Sequence, residues 1–342
     1  MTIRVGIVGA SGYTGGELLR LVSAHPDLEI TRLAAGRSAG QSLDSVWPGL
    51  TDLGVLDNRP MDAYRAADVI QDCDAVFLAL PHGISAEIAP ELVDKGLTVV
   101  DLGADFRLKD PAMYARYYGK PHPCPERLPD AVYGLVEWHR DQLHGAKLIA
   151  NPGCYPTAVS LAIRPFVKAG MVGDLVIADC LSGVSGAGRD PSATTHFCTV
   201  SESATVYKPG GTHRHVPEIE QSIGKAVTFT PHLIPINRGM VATVHFRPTT
   251  SVSHEKLAQI LVEQYQSDAM ISVRDDVPST ADVRGTNRAH VHVCFDHERN
   301  MATVICVIDN LLKGASGQAV QALNVALGMN ENTGLPLFPL TP

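Results

Sequence analysis

The clearest chemical signal in the chain is one cysteine in "LIANPGCYPTAVSLAI", residues 148–163. Cys154 follows Asn-Pro-Gly and opens an apolar run that reads as a buried helix. A thiolate is the useful nucleophile, and the first turn of a helix lowers a thiol's pKa. Pro156 suits that turn, where a missing N–H costs nothing. Backbone N–H groups there would also stabilise an oxyanion. The opposing reading is a small buried hydrophobe, the common fate of a cysteine. Cys180, Cys294 and Cys306 are read that way, as strand residues packed in a core.

A nucleophilic thiol wants an acid/base partner, and the chain has 14 histidines. In "YKPGGTHRHVPEIEQ", His213 and His215 flank Arg214 just before a helix expected to start near Pro217. If that stretch is extended, both rings point to one face. Such a pair could bind a metal, but no further ligands stand at a helpful spacing, so none is expected. His290 and His292 in "HVHV" read as strand residues on one face. Which histidine meets Cys154 is a question of tertiary structure.

A second site is written at the start of the chain. "VGIVGASGYTGGEL" sets Gly9, Gly12 and Gly15 between a strand and a helix, spaced G-x-x-G-x-x-G rather than G-x-G-x-x-G. A tight glycine turn lets backbone approach a pyrophosphate, and the helix N-terminus offers N–H groups and positive dipole. Ser11, Tyr13 and Thr14 can add hydroxyl donors. A ligand-free structural turn is the alternative. After the second strand, "LEITRLAA", the chain has Arg37 and Ser38 where an NAD-binding site would carry a carboxylate. Arginine can hold a 2′-phosphate bidentately, which favours NADP(H); otherwise Arg37 is a solvated loop charge.

The elements that must position these residues fall into two patterns. Over the first ~150 residues, short apolar β-branched runs alternate with helical segments, the mark of a doubly wound parallel sheet. "SAEIAPELVDKG" is one such helix, with Gly96 as its stop. After Cys154 come a helix over roughly 155–169 and a strand running into the loop "SGVSGAGRD". The period-2 segments "GMVATVHFRP", "HVHVCFDH" and "MATVICVIDN" then predict a mostly antiparallel sheet with helices on one face. "HEKLAQILVEQYQ" is an amphipathic helix, and the chain closes on an apolar one, "NLLKGASGQAVQALNVALG".

Composition bounds the partners. A chain of 342 residues is long enough for two ordinary domains. With 45% hydrophobic residues, mean hydropathy +0.04 and formal charge −8, nothing attracts it to nucleic acid or an anionic membrane. No cleavable signal is read at the N-terminus, and no apolar run approaches the ~18–20 residues of a membrane span. Seven scattered cysteines without a CxxC pair argue against a disulfide framework, so a reducing cytoplasm is expected.

Taken together, "GASGYTGGELLRL", "NPGCYPTA", "GGTHRHVPEIEQ", "PHLIPINRGM" and "DNLLKGASGQAVQ" resemble the N-acetyl-γ-glutamyl-phosphate reductases, within the aspartate-semialdehyde dehydrogenase group. The resemblance runs from residue 3 to about 330; Gly103 stands where that family commonly has serine. It implies an NADP-binding Rossmann domain over 1–150, completed by a C-terminal helix in 314–342, and an α+β catalytic and oligomerisation domain over 151–313. It implies Cys154 as nucleophile, His215 as acid/base and His213 beside the substrate. Gly9 to Gly15 would hold the cofactor pyrophosphate, and Arg37 with Ser38 the 2′-phosphate. Pro81, in "ALPHG" at the end of the fourth strand, would lie against the cofactor. Ser185 and Gly186 would flank the nicotinamide and the reacting carbon; Asn310 and Gly314 would approach the carboxamide. Arg107, Arg214 and Arg238 are candidates for the substrate's phosphate and carboxylate.

The expected reaction is NADPH-dependent reduction of N-acetyl-γ-glutamyl phosphate to the semialdehyde through a cysteine thioester, in a homodimer or homotetramer. Two competing readings are another acyl phosphate as substrate and an NADP-binding regulatory protein with a dead site. The second would have no need for Cys154 and the histidine pair together. A cysteine hydrolase would leave the glycine loop without a purpose, and no Tyr-x-x-x-Lys supports a short-chain dehydrogenase.

Overall fold

The computed structural model describes residues 2–50 and 60–340. The chain divides into two compact units: residues up to 152 with Ala315–Leu335, and Gly153–Gly314 with the residues from 336 onward. The expectation that all of 314–342 joins the first domain is corrected by that last segment. The N–H of Leu340 donates to the carbonyl of Arg284, and the N–H of Asn287 to that of Pro336, so the tail is laced to the second unit.

The first unit opens with β1 (Ile3–Val8), α1 (Tyr13–Ser23), β2 (Leu28–Ala34), α2 (Leu43–Val46), α3 (Ala66–Asp72) and β3 (Ala75–Leu78). It continues with α4 (Ser85–Asp94), β4 (Thr98–Asp101), α5 (Pro111–Tyr118), β5 (Ala131–Tyr133), α6 (Val136–Leu143) and β6 (Leu148–Ala150). The strands form one parallel sheet in the order β2-β1-β3-β4-β6-β5. Strands of such a sheet are covered on both faces, which is why "AVFL" of β3 is apolar throughout and wholly buried. Local signals set the helix ends. Asp110 caps α5 by accepting from the Ala112 N–H, Pro111 starts it, and Gly96 ends α4 at φ +94°.

Strand order reverses between β1 and β3, the switch point at which open α/β sheets bind ligands. The glycine loop leaves β1 there, and "ALPHG" leaves β3. The segment holding Pro81 therefore follows the third strand, not the fourth. The short helices between β2 and β3 were not expected from the sequence, whose periodicity is weak there.

At the end of β4, Asp101 is fully buried with its Oδ1 accepting the Gly103 N–H at 2.8 Å. A Cβ at position 103 would lie 2.8 Å from that oxygen, so glycine leaves room for the carboxylate to fold back. Burial first, and then the Asp105 carboxylate, push the Asp101 pKa up to about 6. A raised carboxylate pKa gives stability that is complete below about 4 and lost as pH rises through 6. Wild-type protein is thus expected to lose about 3 kcal/mol between pH 4 and 7 that Asp101→Asn keeps. Urea melts at the two pH values check this; parallel losses in both proteins would refute it.

The second unit contains α7 (Cys154–Lys168), β7 (Leu175–Gly183), α8 (Phe197–Val200), β8 (Thr205–Val206), α9 (Val216–Ile223) and β9 (Ala226–Ile234). After these come β10 (Met240–Phe246), α10 (His254–Tyr265), β11 (Ile271–Val273), β12 (Ala289–Asp296) and β13 (Met301–Ile308). The last helix, α11 (Gly317–Ala326), belongs to the first unit. The strands form a mixed sheet, β11-β12-β13-β10-β7-β9-β8, in which only β7 with β9 and β11 with β12 run parallel. Period-2 alternation sends Val176, Ala178 and Cys180, with Met240, Ala242 and Val244, into the core under α7. The other face of β7 carries Leu175 at 54% and Ile177 at 38% exposure.

Candidate active site

Cys154 is the first residue of α7, a helix of 15 residues whose N-cap is Gly153 in extended conformation. The N–H of Gly153 donates to Glu218 Oε1 at 2.8 Å, tying the turn before the cysteine to the first turn of α9. Glu218 is buried and was not singled out in the sequence; a carboxylate three residues after His215, in a first helical turn, was the available signal. The thiol is partly exposed. Opposite it, a Cβ on Gly314 would come 2.8 Å from the Cys154 Cβ, so only glycine lets the two backbones approach this closely.

Helix α9 presents the histidines. His215 is its N-cap, and its carbonyl accepts the Ile219 N–H. The stretch is a turn rather than the extended segment considered above, yet the rings still meet, with centroids 4.9 Å apart. They meet because the His215 N–H donates to His213 Nδ1 at 3.1 Å, which folds one residue over the other. Tyr155 contacts both rings edge-on, at 5.7 Å from His213 and 5.8 Å from His215. Cys154 and the pair are thereby joined through one aromatic ring.

Burial pushes the His213 pKa down to about 2, helped by His215, Lys208 and Arg214. His213 is therefore neutral, and because Nδ1 accepts a backbone N–H its proton sits on Nε2. Tyr207 donates to the Tyr155 hydroxyl at 2.9 Å, and Tyr155 donates to the His232 carbonyl at 3.4 Å. Burial raises both phenols, and the neighbouring Cys154 raises them further. Cys180 is a contrasting thiol: fully buried and pushed well above its ordinary pKa, it is a core residue as expected. Cys306 is also buried, whereas Cys294 is partly exposed with its Sγ 3.2 Å from His292 Nε2, which corrects its reading as core.

The remaining candidates of this unit form a second group. Asn310 Oδ1 accepts the Gly239 N–H at 2.7 Å, and its Nδ2 donates to Ser185 Oγ at 2.9 Å. Its amide thus braces the loop that carries Ser185 and Gly186. Arg238 pairs with buried Asp309 at 3.4 Å, while Asp309 also accepts the N–H groups of Gly285 and Leu311. Arg214 lies close enough to His213 to oppose its protonation.

In the first unit, Gly9 adopts φ +97° and a Cβ there would overlap the Ala79 carbonyl oxygen. A Cβ on Gly15 would overlap the Gly9 oxygen. Glycine is thus required at both ends of a loop leading into α1, the cradle a dinucleotide pyrophosphate needs. Ser11, Gly12, Tyr13 and Thr14 complete the turn and first helical residues. Arg37 and Ser38 occupy the turn after β2. Arg107 is buried and its Nε and Nη2 donate to the carbonyls of Asn151 and Leu102 at 2.7 and 2.9 Å. Those bonds give it a structural use beside the substrate role expected of it. Among the described residues no cluster of histidine, cysteine and carboxylate could hold a metal.

A parallel dinucleotide-type sheet, a mixed-sheet unit and a cysteine at a helix start beside a histidine pair define a semialdehyde-dehydrogenase type of protein. Residues 4–146 match the family model described as semialdehyde dehydrogenase, NAD binding domain, and residues 154–310 the one described as semialdehyde dehydrogenase, dimerisation domain. Aspartate-semialdehyde dehydrogenase structures from Candida albicans, solved with NADP, and from Vibrio cholerae share the fold. Their TM-scores are 0.70 and 0.69 at 18% identity, each covering 95% of this chain and 98% of the other. The N-acetyl-gamma-glutamyl-phosphate reductase of Magnetococcus marinus is 46% identical over 350 residues, spanning 100% of this chain and 99% of its own. That of Halorhodospira halophila is 46% identical over 355 residues, spanning 99% and 100%. The chain belongs to the N-acetyl-γ-glutamyl-phosphate reductase family.

Proposed function

We propose that this protein reduces N-acetyl-γ-glutamyl phosphate to N-acetylglutamate 5-semialdehyde, releasing phosphate, as a step of arginine biosynthesis. The observation that carries the reading is Cys154 at the start of α7 with both histidine rings packed on Tyr155 beside it. The helix start favours the thiolate, which attacks the acyl carbonyl; the C–O bond to phosphate breaks and a thioester remains on Cys154. NADPH, when bound, supplies the hydride that takes the acyl group to the aldehyde level. The glycine cradle from Gly9 to Gly15 would hold its pyrophosphate, with Arg37 and Ser38 at the 2′-phosphate and Pro81, Gly186, Asn310 and Gly314 along the rest.

His215 is assigned the proton transfers, giving a proton to the oxyanion on the thioester-derived carbon and taking it back as the thiohemiacetal collapses to aldehyde and the thiolate leaves. His213, neutral and with Nδ1 engaged, donates through Nε2 and positions the substrate. Arg107, Arg214 and Arg238 remain the cations for the substrate's phosphate and carboxylate, with Ser185 as a neutral donor. The first unit, up to residue 152 with the closing helix, is assigned as the cofactor domain, and the unit that starts at Gly153 as the catalytic one. No helix among the described residues is long and apolar enough to cross a membrane. The seven unbridged cysteines support a reducing cytoplasm as the place of work.

The test runs the reaction backwards, with N-acetylglutamate semialdehyde, NADP and phosphate, following the reduced cofactor. Phosphate-dependent NADPH formation is the expected result. Aspartate semialdehyde and NAD are the competing substrate and cofactor; turnover of another semialdehyde alone would discard the substrate and keep the cysteine chemistry.

A second copy of the chain is proposed to cover the open face of the mixed sheet, giving a homodimer or a tetramer built from it. The match to a dimerisation domain and the exposed Leu175 and Ile177 on β7 support this. Ile177→Asp places a charge on that face and is expected to shift the protein to monomer in light scattering. An unchanged mass, with the circular dichroism spectrum intact, would reject this face.

A further inference from the structure

Trp47 follows α2, far in sequence from the glycine loop, yet its indole is built into that loop at three points. Its Nε1–H donates to the Ala10 carbonyl at 2.9 Å. Its six-membered ring covers Gly16, where a Cβ would lie 2.6 Å from Cζ2. Its ring system also packs at 6.3 Å from the ring of Tyr13, at an angle of 49°. Gly16 is in the first turn of α1, and its N–H donates to the Gly12 carbonyl, so the indole bears on both ends of the cradle.

The two peptide groups that flank the Ala10 Cα are each held. Ala10 is fully buried; its N–H donates to the Ala34 carbonyl at the end of β2, and its own carbonyl accepts from Trp47. A trans peptide is planar, with its N–H antiparallel to its C=O. Turning the Ala10 carbonyl toward the indole therefore aims the Ser11 N–H the opposite way. Ser11 is one of the residues whose backbone donors make a glycine turn attractive to a diphosphate. A part-buried indole N–H seeks an acceptor, and here that acceptor is the loop itself.

We infer that Trp47 is a positioning residue for the cofactor: it sets the direction of the backbone donors that receive the dinucleotide pyrophosphate. The inference rests on the cofactor reading above. Trp47→Phe deletes the N–H that holds the Ala10 carbonyl and, with its single ring, also withdraws the indole atoms that lie on Gly16. The dissociation constant and KM for NADPH are expected to rise about tenfold, with kcat within about twofold, the scale of one lost hydrogen bond. Adenosine 2′-monophosphate, which has no pyrophosphate, is expected to bind within about twofold of wild type.

A purely structural role would not produce that split. Unchanged NADPH affinity in Trp47→Phe, or an equal loss for both ligands, overturns the inference. Gly16→Ala presses on the indole from the other side and is expected to show the same split, so the test stands even if Trp47→Phe folds poorly. If wild-type protein binds no NADPH, the cofactor reading falls and this inference with it. If wild type binds and both variants match it, this inference alone falls.

Discussion

Cys154→Ser is expected to lower kcat by at least about 10⁴-fold while leaving NADPH binding and the melting temperature unchanged. The two side chains are close in size, the thiol is partly exposed and its Cβ lies against a glycine, so the fold has no reason to respond. The chemistry does. The N-terminus of a 15-residue helix favours the thiolate over the thiol, whereas a serine hydroxyl in the same place does not ionise usefully. Steady-state rates together with mass spectrometry check it. Wild-type protein incubated with acyl phosphate and no NADPH should gain one acyl group on Cys154, and the serine variant none. A serine variant retaining more than about 1% of wild-type rate would remove the cysteine from the mechanism.

The second large effect separates the two histidines. His215→Asn is expected to lower kcat by about 10²–10⁴-fold, the usual worth of a positioned acid/base. His213→Asn should cost about tenfold or less, through lost packing against Tyr155, Tyr207 and Phe229 and a lost contact to substrate. The difference follows from protonation. With its pKa pushed down to about 2 and Nδ1 accepting a backbone N–H, His213 neither gains nor loses a proton between pH 5 and 9. The pH profile of kcat/KM should therefore keep its shape in His213→Asn and lose a limb in His215→Asn. The reverse pattern would exchange their roles.

The sequence by itself determined the two kinds of sheet, since side-chain period follows from backbone geometry alone. Continuous apolar runs such as "AVFL" fit strands covered on both faces, and the alternating "MVATVHF" one covered on a single face. It also determined the glycine loop, because Gly9 and Gly15 stand where a side chain would overlap backbone. Cys154 at a helix start was legible for a similar local reason, with Asn-Pro-Gly before it and Pro156 within the first turn.

What required the tertiary structure were relations between residues far apart in the chain. Glu218 holds the Gly153 N–H across 65 positions, and no pattern in either segment announces that bond. The neutrality of His213 depends on burial and on charges gathered from other parts of the second unit, which no local spacing records. The same holds for Trp47, an unremarked residue in a weakly patterned stretch until folding lays its indole on Ala10 and Gly16. Local order follows from backbone geometry over a few residues. Protonation state and the direction of a donor follow from what long-range packing brings alongside.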